Sequence, residues 1–452
     1  MHESRRKQAE AIWRAGVAAV QPSHCIPTEL EQLRATCGNW NPQRHYLVIG
    51  GGKAGAAMAQ ATEAYLLKQG IPASHITGWV NVPEGSTPDK LQCIHLHPAR
   101  PQGYNFPTPE AVAGTEAMLK LLDKAPADAI VLCLLSGGGS AILCAPTVPL
   151  EDKLAISKLV SGAGGSIREL NTVRKHLSHF KGGQLAARCF AKHPNRQLIS
   201  LIISDVIGDP LDVIASGPTA VDPTTFHSAL LVLRQKRLLD KTPGTVMDYL
   251  QAGVVGMKPE TMKLAPVQEP QLLHRLVASN QKAIDAAAIH AEKLGYQVIE
   301  YADKREHDTL TQAAYFADQV ISQDRKQPLC LISGGESTVK LSDNPGKGGR
   351  NQSFALAFLL QLDALLHHDR QAWQSITALF AGTDGEDGPT DAAGAFADGE
   401  VLNAMSKLQL TPQTNLDNHD AYPFFDATKS LFRTGLTETN VMDLRVILLD
   451  KQ

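Results

Sequence analysis

The 452-residue sequence has no excess of either charge: 43 lysines and arginines stand against 46 acids, for a net charge of −3 and a pI near 6.6. Binding driven by nucleic-acid phosphates is therefore not expected, and the substrate should be small. No apolar run reaches the roughly 18 residues of a membrane span, and the opening MHESRRKQAEAIWRAG has no apolar signal core; it reads as a basic amphipathic helix. The expectation is a soluble, unprocessed, cytoplasmic protein without a membrane or nucleic-acid partner. Seven cysteines, an odd number with no CxxC pair, fit reduced thiols better than a disulfide framework or a zinc site. The common phosphotransfer signatures are missing too. Gly52-Lys53 is followed by Ala54 and Gly346-Lys347 by Gly348, so neither completes a P-loop, and no HRD or DFG set occurs. A kinase built on this chain belongs to neither large class.

What is present is a strand and glycine loop made twice. LCLLSGGGS at 132–140 and LCLISGGES at 329–337 agree at seven of nine positions, each an apolar run ending in a small hydroxyl residue and glycines. LVIGGGKAG at 47–55 is a third version, with Lys53 inside the loop. Glycines let backbone N–H groups approach an anion, and a helix starting just afterwards adds its positive end. The phosphate-binding candidates are therefore Gly51, Gly52, Ser136, Gly137, Gly138, Gly139, Ser140, Ser333, Gly334, Gly335 and Glu336.

Short apolar strands (HYLVIG, ITGWVNV, CIHLH, AIVLCLL, QLISLIIS, then LLHRLVAS, QVIEY, PLCLIS, ITALFAG and LRVILL) alternate with helical patterns. That is the signature of a parallel sheet wrapped by helices, an α/β fold, and it places ligands at the carboxyl ends of the strands. The length calls for two domains or three, with the domain boundary best placed between about 240 and 270, where KTPGTVMDYLQAGVVGMKPETMKLAPVQEP breaks the alternation as a linker would. The expected division is 1–260, a doubly wound Rossmann-like domain, and 261–452, a smaller α/β domain.

Gly50, Gly52 and Gly55 satisfy G-x-G-x-x-G, but the next strand ends in Asn81-Val82-Pro83 with no acid to hold a ribose, so a dinucleotide is disfavoured. Lys53 either caps the loop from the surface or holds a transferring phosphoryl group. In SDVIGDPLDVIASGPT, Asp205 and Asp209 follow a strand end, where they either cap a turn or act as magnesium ligand and proton acceptor. Arg174, Lys175 and His176 form an anion-binding candidate, or simply a solvated helix face. In DNPGKGGRNQS, Lys347 and Arg350 precede a long helix, and arginine's fork suits carboxylate or phosphate. AGTDGEDGPTDAAGA carries Asp384, Glu386, Asp387 and Asp391 but is no EF-hand, since Gly388 takes a ligand position; turns and hydroxyl recognition both fit it.

Together GGGKAGAAMA, LLSGGGSAIL, ELNTVRKHLSHFKGGQLA, SDVIGDPLDVIASGPT, ISGGESTVKL, GKGGRNQSFALA, GTDGEDGPTDAAGA and TGLTETNVMDLRVILL resemble the glycerate 2-kinases with a C-terminal MOFRL domain, a group also labelled hydroxypyruvate reductases. The ending departs from the family's GPTGTN, reading Gly435-Leu436-Thr437-Glu438-Thr439-Asn440. The resemblance implies ATP-dependent phosphorylation of D-glycerate at its 2-hydroxyl with Mg2+, in a site enclosed by two α/β domains. It carries over Lys53, Asp205 and Arg350, which charge and position make the catalytic candidates; Asp209 joins them as metal ligand, a duty it and Asp205 could exchange, and Arg174, Asn351 and Asp384 are the candidates for the substrate, with a homodimer as the assembly to test. The rivals are an NAD(P)H-dependent hydroxypyruvate reductase and a non-catalytic nucleotide-binding protein. Gly139 and Glu336 mark the difference between the twin loops. The first loop is expected to meet phosphate and the second a hydroxyl, ribose or metal, because a carboxylate repels phosphate unless a cation lies between.

Overall fold

The computed structural model describes residues 2–37, 40–86, 91–101, 104, 106–301, 308–340 and 344–451. Asp343, which opens the DNPGKGGRNQS string, lies outside them. The chain folds into two compact units, Pro22–Val277 and Met1–Gln21 with Ala278–Gln452. The division thus falls at 277/278 rather than 260/261, and the first 21 residues join the C-terminal half.

In the unit Pro22–Val277, β1 (Tyr46–Gly51), β2 (Ile76–Pro83), β3 (Ile94–Arg100), β4 (Ile130–Leu135), β5 (Gln197–Ile203) and β6 (Leu272–Ala278) form one sheet in the order β3-β2-β1-β4-β5-β6. From β3 to β5 every pairing is parallel. IVLCLL of β4 and QLISLII of β5 are buried along their whole length, as continuous apolar strands covered on both faces must be. The strand order is that of the doubly wound dinucleotide folds, and it reverses direction between β1 and β4. Gly51 is level with Leu135, and Leu135 with Ile202. The loops after β1, β4 and β5 therefore start side by side at the switch point.

The helices Leu150–Gly162, Ile167–His176, Phe226–Gln235 and Gly244–Val254 pack around their own apolar cluster, including Ile156, Val173, Leu177, Phe226, Leu233, Val246 and Leu250. The expected linker is accordingly part helix. Pro243 stands directly before this last helix and Gly256 just beyond it, so the residues read as breakers are its end signals.

The other unit holds β7 (Gln297–Tyr301), β8 (Leu329–Gly335), β9 (Ile376–Gly382), β10 (Gly394–Asp398), β11 (Leu431–Phe432) and β12 (Asp443–Leu449), in the order β11-β10-β9-β12-β8-β7. Only β7 and β8 pair in parallel; the remaining neighbours are antiparallel. The all-parallel expectation holds from β3 to β5 and fails here, because β12 enters between β8 and β9 running against both. Asp443, its first residue, sits opposite Gly335 and Gly382, so the loops leaving β8 and β9 flank it.

One face of this sheet is covered by the helices Thr309–Ser322 and Arg350–Leu365. The other is covered by Asn280–Lys293 and the N-terminal helix His2–Ala19, through Ala9, Ile12, Trp13 and Val17. Trp13 meets Phe432 edge-on at 5.1 Å, and Arg6 binds the fully buried Asp398 through two bonds of 2.6 and 2.8 Å. All seven cysteines are free thiols, and among the described residues no helix is long and apolar enough to cross a membrane.

Candidate active site

Three side chains close on the loop after β4. A methyl group on Gly137 would lie 2.0 Å from Asp205 Oδ2, and one on Gly138, whose φ is +76°, would lie 3.0 Å from Arg100 Nη2 and 3.4 Å from Lys53 Cγ. Bare glycine backbone is thus lined by a carboxylate from the end of β5, a guanidinium from the end of β3 and the stem of Lys53 from the loop after β1. Lys53 is exposed. Arg100 is buried and donates to the Tyr104 carbonyl; burial pulls its pKa down.

The backbone donors divide unequally between the two glycine loops. After β1 they are spent within the protein: Gly52 N–H on Asn81 O, Lys53 N–H on Gly137 O at 2.8 Å, and Ala54 N–H on Ser136 Oγ at 3.1 Å. Gly51 is the last ladder residue of β1. The expected anion cradle at Gly51 and Gly52 is therefore closed, and that loop offers the Lys53 side chain instead. After β4, by contrast, the N–H groups of Gly137 and Gly138 have no protein acceptor among the described residues. Gly139 N–H turns back to Ser136 O, while Ser140 Oγ meets Ser216 Oγ at 2.9 Å.

The segment after β5 is strained. Asp209, Ala215 and Ser216 take φ of 53°, 50° and 62°, left-handed values unfavourable for non-glycine residues and concentrated at functional sites. Ser216 Oγ donates to Asn171 Oδ1, tying this turn to the helix Ile167–His176. On that helix the Arg-Lys-His trio separates. Lys175 is buried against Asp212 and Asp222 at 3.1 and 3.3 Å, and His176 binds Glu260 at 3.2 Å, which makes both structural. Arg174 is half-buried and has no hydrogen-bond or ion-pair partner among the described residues.

In the second unit the candidates gather around Asp443. This fully buried carboxylate takes two bonds from Arg350 Nε, at 3.0 and 3.1 Å, one from Nη2 at 2.9 Å, and one from Asn351 Nδ2 at 2.9 Å. Arg350 Nη1 also holds Glu336. Burial alone would lower the Arg350 pKa, but Asp443 and then Glu336 raise it. Arg350 is thus the counter-ion of Glu336. Asp387 caps the helix Arg350–Leu365, accepting N–H bonds from Asn351 at 2.9 Å and Gln352 at 2.8 Å. Burial, aided by the charge of Asp443, pushes its pKa up to about 7 against those bonds and Arg350.

The remaining second-loop candidates are largely framework. Ser333 and Gly334 are ladder partners of Arg445 and Leu444, and Gly335 of Asp443. Asp384 turns its own loop through Glu386 N–H, and Asp391 ties Tyr422 to Arg433. Lys347 lies over the Tyr422 ring at 3.8 Å. The divergent ending folds back, its Thr437 hydroxyl donating to Thr383 O. Among the described residues no three His, Cys, Asp or Glu side chains group to hold a metal by themselves. Asp205 and Asp209, at one strand end, are the pair a Mg2+ ion could use with phosphate oxygens and water completing its shell.

Comparison with known proteins places the arrangement. Residues 8–251 match a family described as a domain of unknown function (DUF4147), and residues 329–443 the MOFRL family. A glycerate kinase from Rattus norvegicus is 32% identical over 99% of this chain and 93% of its own length. The chain belongs to the glycerate kinase family. A Pyrococcus horikoshii glycerate 2-kinase is 33% identical over 89% of this chain and 87% of its own. The crystal structure of Thermotoga maritima glycerate kinase superposes with a TM-score of 0.84 at 31% identity, covering 99% of this chain and all of that one. A relative in Agrobacterium vitis, 32% identical over 99% of this chain and 95% of its own, has a provisional hydroxypyruvate reductase name.

Two residues in these clusters escaped the sequence reading. Arg100 ends an edge strand containing Pro98, and its neighbours HPARP gave no phosphate signal; only the rule that ligands gather at strand ends points to it. Asp443 sits inside the apolar ending MDLRVILL, where a lone acid at a strand's first residue was the available clue.

Proposed function

We propose that this glycerate kinase family member transfers the γ-phosphoryl group of ATP to the 2-hydroxyl of D-glycerate, giving 2-phosphoglycerate and ADP. The observation that carries the reading is the convergence of Lys53, Arg100 and Asp205 on Gly137 and Gly138, whose N–H groups have no protein acceptor among the described residues. Phosphoryl transfer asks for donors and positive charge around three equatorial oxygens and an acceptor for one proton. In this reading the 2-hydroxyl oxygen attacks phosphorus, the bond to the β–γ bridging oxygen breaks, and the hydroxyl proton passes to the Asp205 carboxylate. Lys53, Arg100 and the two glycine N–H groups hold the phosphoryl oxygens. Mg2+, when bound, would neutralise phosphate charge, and Asp209 would be its protein ligand.

Arg350 already carries two carboxylates. In this reading it fixes Glu336 and Asp443 and meets a ligand only through its remaining N–H groups, with Asn351 beside it. A nicotinamide reductase is disfavoured because the G-x-G-x-x-G loop has spent its donors and β2 carries no acid; Asn81 is buried and bonded to Ala111 O, Thr115 Oγ1 and Ile142 O.

Purified protein should form ADP from Mg-ATP only when D-glycerate is added, and should not oxidise NADH with hydroxypyruvate. NADH oxidation without ADP formation overturns the assignment. Lys53→Ala should lower kcat by about 10²–10³; unchanged turnover removes Lys53 from the mechanism.

A further inference from the structure

We propose that Lys153, Arg174 and Lys181 form a seat for the oxyanion of a small ligand, the carboxylate of the acceptor acid or a phosphate group, behind the Ser136–Ser140 loop. The seat deepens the kinase reading above and rests on it for the identity of its ligand. Lys153 and Lys181 are 2% and 1% exposed, yet each ammonium has one acceptor: Leu177 O at 2.8 Å for Lys153, and Ser140 O at 2.8 Å for Lys181. An ammonium has three donors and a guanidinium five. Arg174 uses none of its own, and among the described residues no carboxylate pairs with any of the three.

The neighbouring Lys175 shows what an ordinary buried lysine receives here, two carboxylates. The chain brings the unmatched cations together because Leu177 and Lys181 follow Arg174 on the same connection. That connection runs along residues 145–146 through His179 N–H to Ala145 O and a bridge between Pro146 and Ser178. Burial first, then the charges of Lys153 and Arg174, push Lys181 well below the usual lysine range; burial and Arg174 lower Lys153.

Concentrating buried positive charge without a counter-ion costs stability, and a site that pays in stability commonly does so for a ligand. Half-buried Arg174 is the accessible member, and the two lysines are buried. Arg174 would make the contact, and the lysines would act through their charge. The seat adjoins the reacting loop, since the carbonyl held by Lys181 belongs to Ser140, whose hydroxyl meets the strained Ser216.

The test is calorimetric binding of inorganic phosphate, D-glycerate and the uncharged D-glyceramide to the full-length protein. The wild type should bind at least one of the two anions and bind D-glyceramide at least tenfold more weakly than D-glycerate if the carboxylate is the occupant. Arg174→Met, on the accessible side, should weaken the bound anion at least tenfold. Lys153→Met and Lys181→Met should weaken it too, while leaving the unfolding temperature at or above that of the wild type, because each removes an uncompensated charge. Loss confined to D-glycerate identifies the carboxylate; loss of phosphate identifies a phosphate group.

If Arg174→Met binds both anions as the wild type does, the seat is refuted, whatever the lysine variants do. Lysine variants that lose stability yet keep anion affinity reduce the lysines to props for Leu177 and Ser140 and refute their part. Because binding is read without turnover, a protein that binds anions in this pattern but never phosphorylates glycerate overturns the kinase reading and leaves the seat standing.

Discussion

Replacing Gly137 with alanine puts the proposed chemistry under the most direct strain. Its φ is not among the left-handed values, so alanine can adopt the backbone, and the unfolded chain loses freedom worth about 0.4–1 kcal/mol in favour of the variant. The obstacle is Asp205. The new methyl would lie 2.0 Å from Oδ2, where real contacts start near 3.0 Å, so the carboxylate must retreat by about 1 Å. Misplacing a reacting group by about 1 Å costs around 10²-fold in rate, which corresponds to about 2.7 kcal/mol of barrier. The variant should therefore fold with a stability change within about 1 kcal/mol and show kcat for D-glycerate reduced about a hundredfold in a coupled ADP assay. Adding the change to Asp205→Ala should cost less than about threefold more, because the two act through one contact. A Gly137→Ala enzyme with kcat within threefold of the wild type refutes the placement of Asp205 in the reaction.

Asp443→Ala strips Arg350 of three hydrogen bonds within a buried cluster and should destabilise the C-terminal unit by about 3–5 kcal/mol. Urea unfolding followed by Trp13 and Trp373 fluorescence, with the other tryptophans replaced, reads this; an unmoved midpoint refutes it. Asp387 should give stability that falls as pH rises. Its folded pKa, about 7, exceeds the ordinary 3.8, so between those values the folded state binds the extra proton, and the contribution is lost at up to ~1.4 kcal/mol per pH unit on the way to pH 7. Asp387→Asn, which cannot ionise, should show a shallower slope between pH 4.5 and 7; parallel slopes refute the raised pKa.

Much of this fold was legible because its signals are local. β4 and β5 are continuous apolar runs of strand length, and the glycines after them, with Lys53 and Asp205, mark the ends where ligands gather. What stayed hidden depends on neighbours far along the chain. GAFAD, which is β10, is made mostly of small residues with no alternation, and becomes a strand through its pairing with β9 and β11. The helix Gly244–Val254 has Pro and Gly at its ends, indistinguishable from a linker until its apolar face finds Phe226 and Val173. Lys153 and Lys181 look like surface lysines, because burial is not written at the residue. Nor could the loop at 52–54 reveal that the N–H groups of Gly52, Lys53 and Ala54 are spent on Asn81, Gly137 and Ser136. Sequence shows that a loop has donors; only the fold shows which acceptors have taken them.

The affiliation of the N-terminal helix with the C-terminal sheet has a consequence for synthesis. At a ribosome adding about 5–20 residues per second, Ala9, Ile12, Trp13 and Val17 emerge tens of seconds before Leu444 and Val446, the β12 residues they cover. Pro22–Val277 can complete its own sheet in that interval, whereas the helix ahead of it carries an unsatisfied apolar stripe throughout. The helix is thus made before the whole of Pro22–Val277 and seated only after it, once β12 has been made.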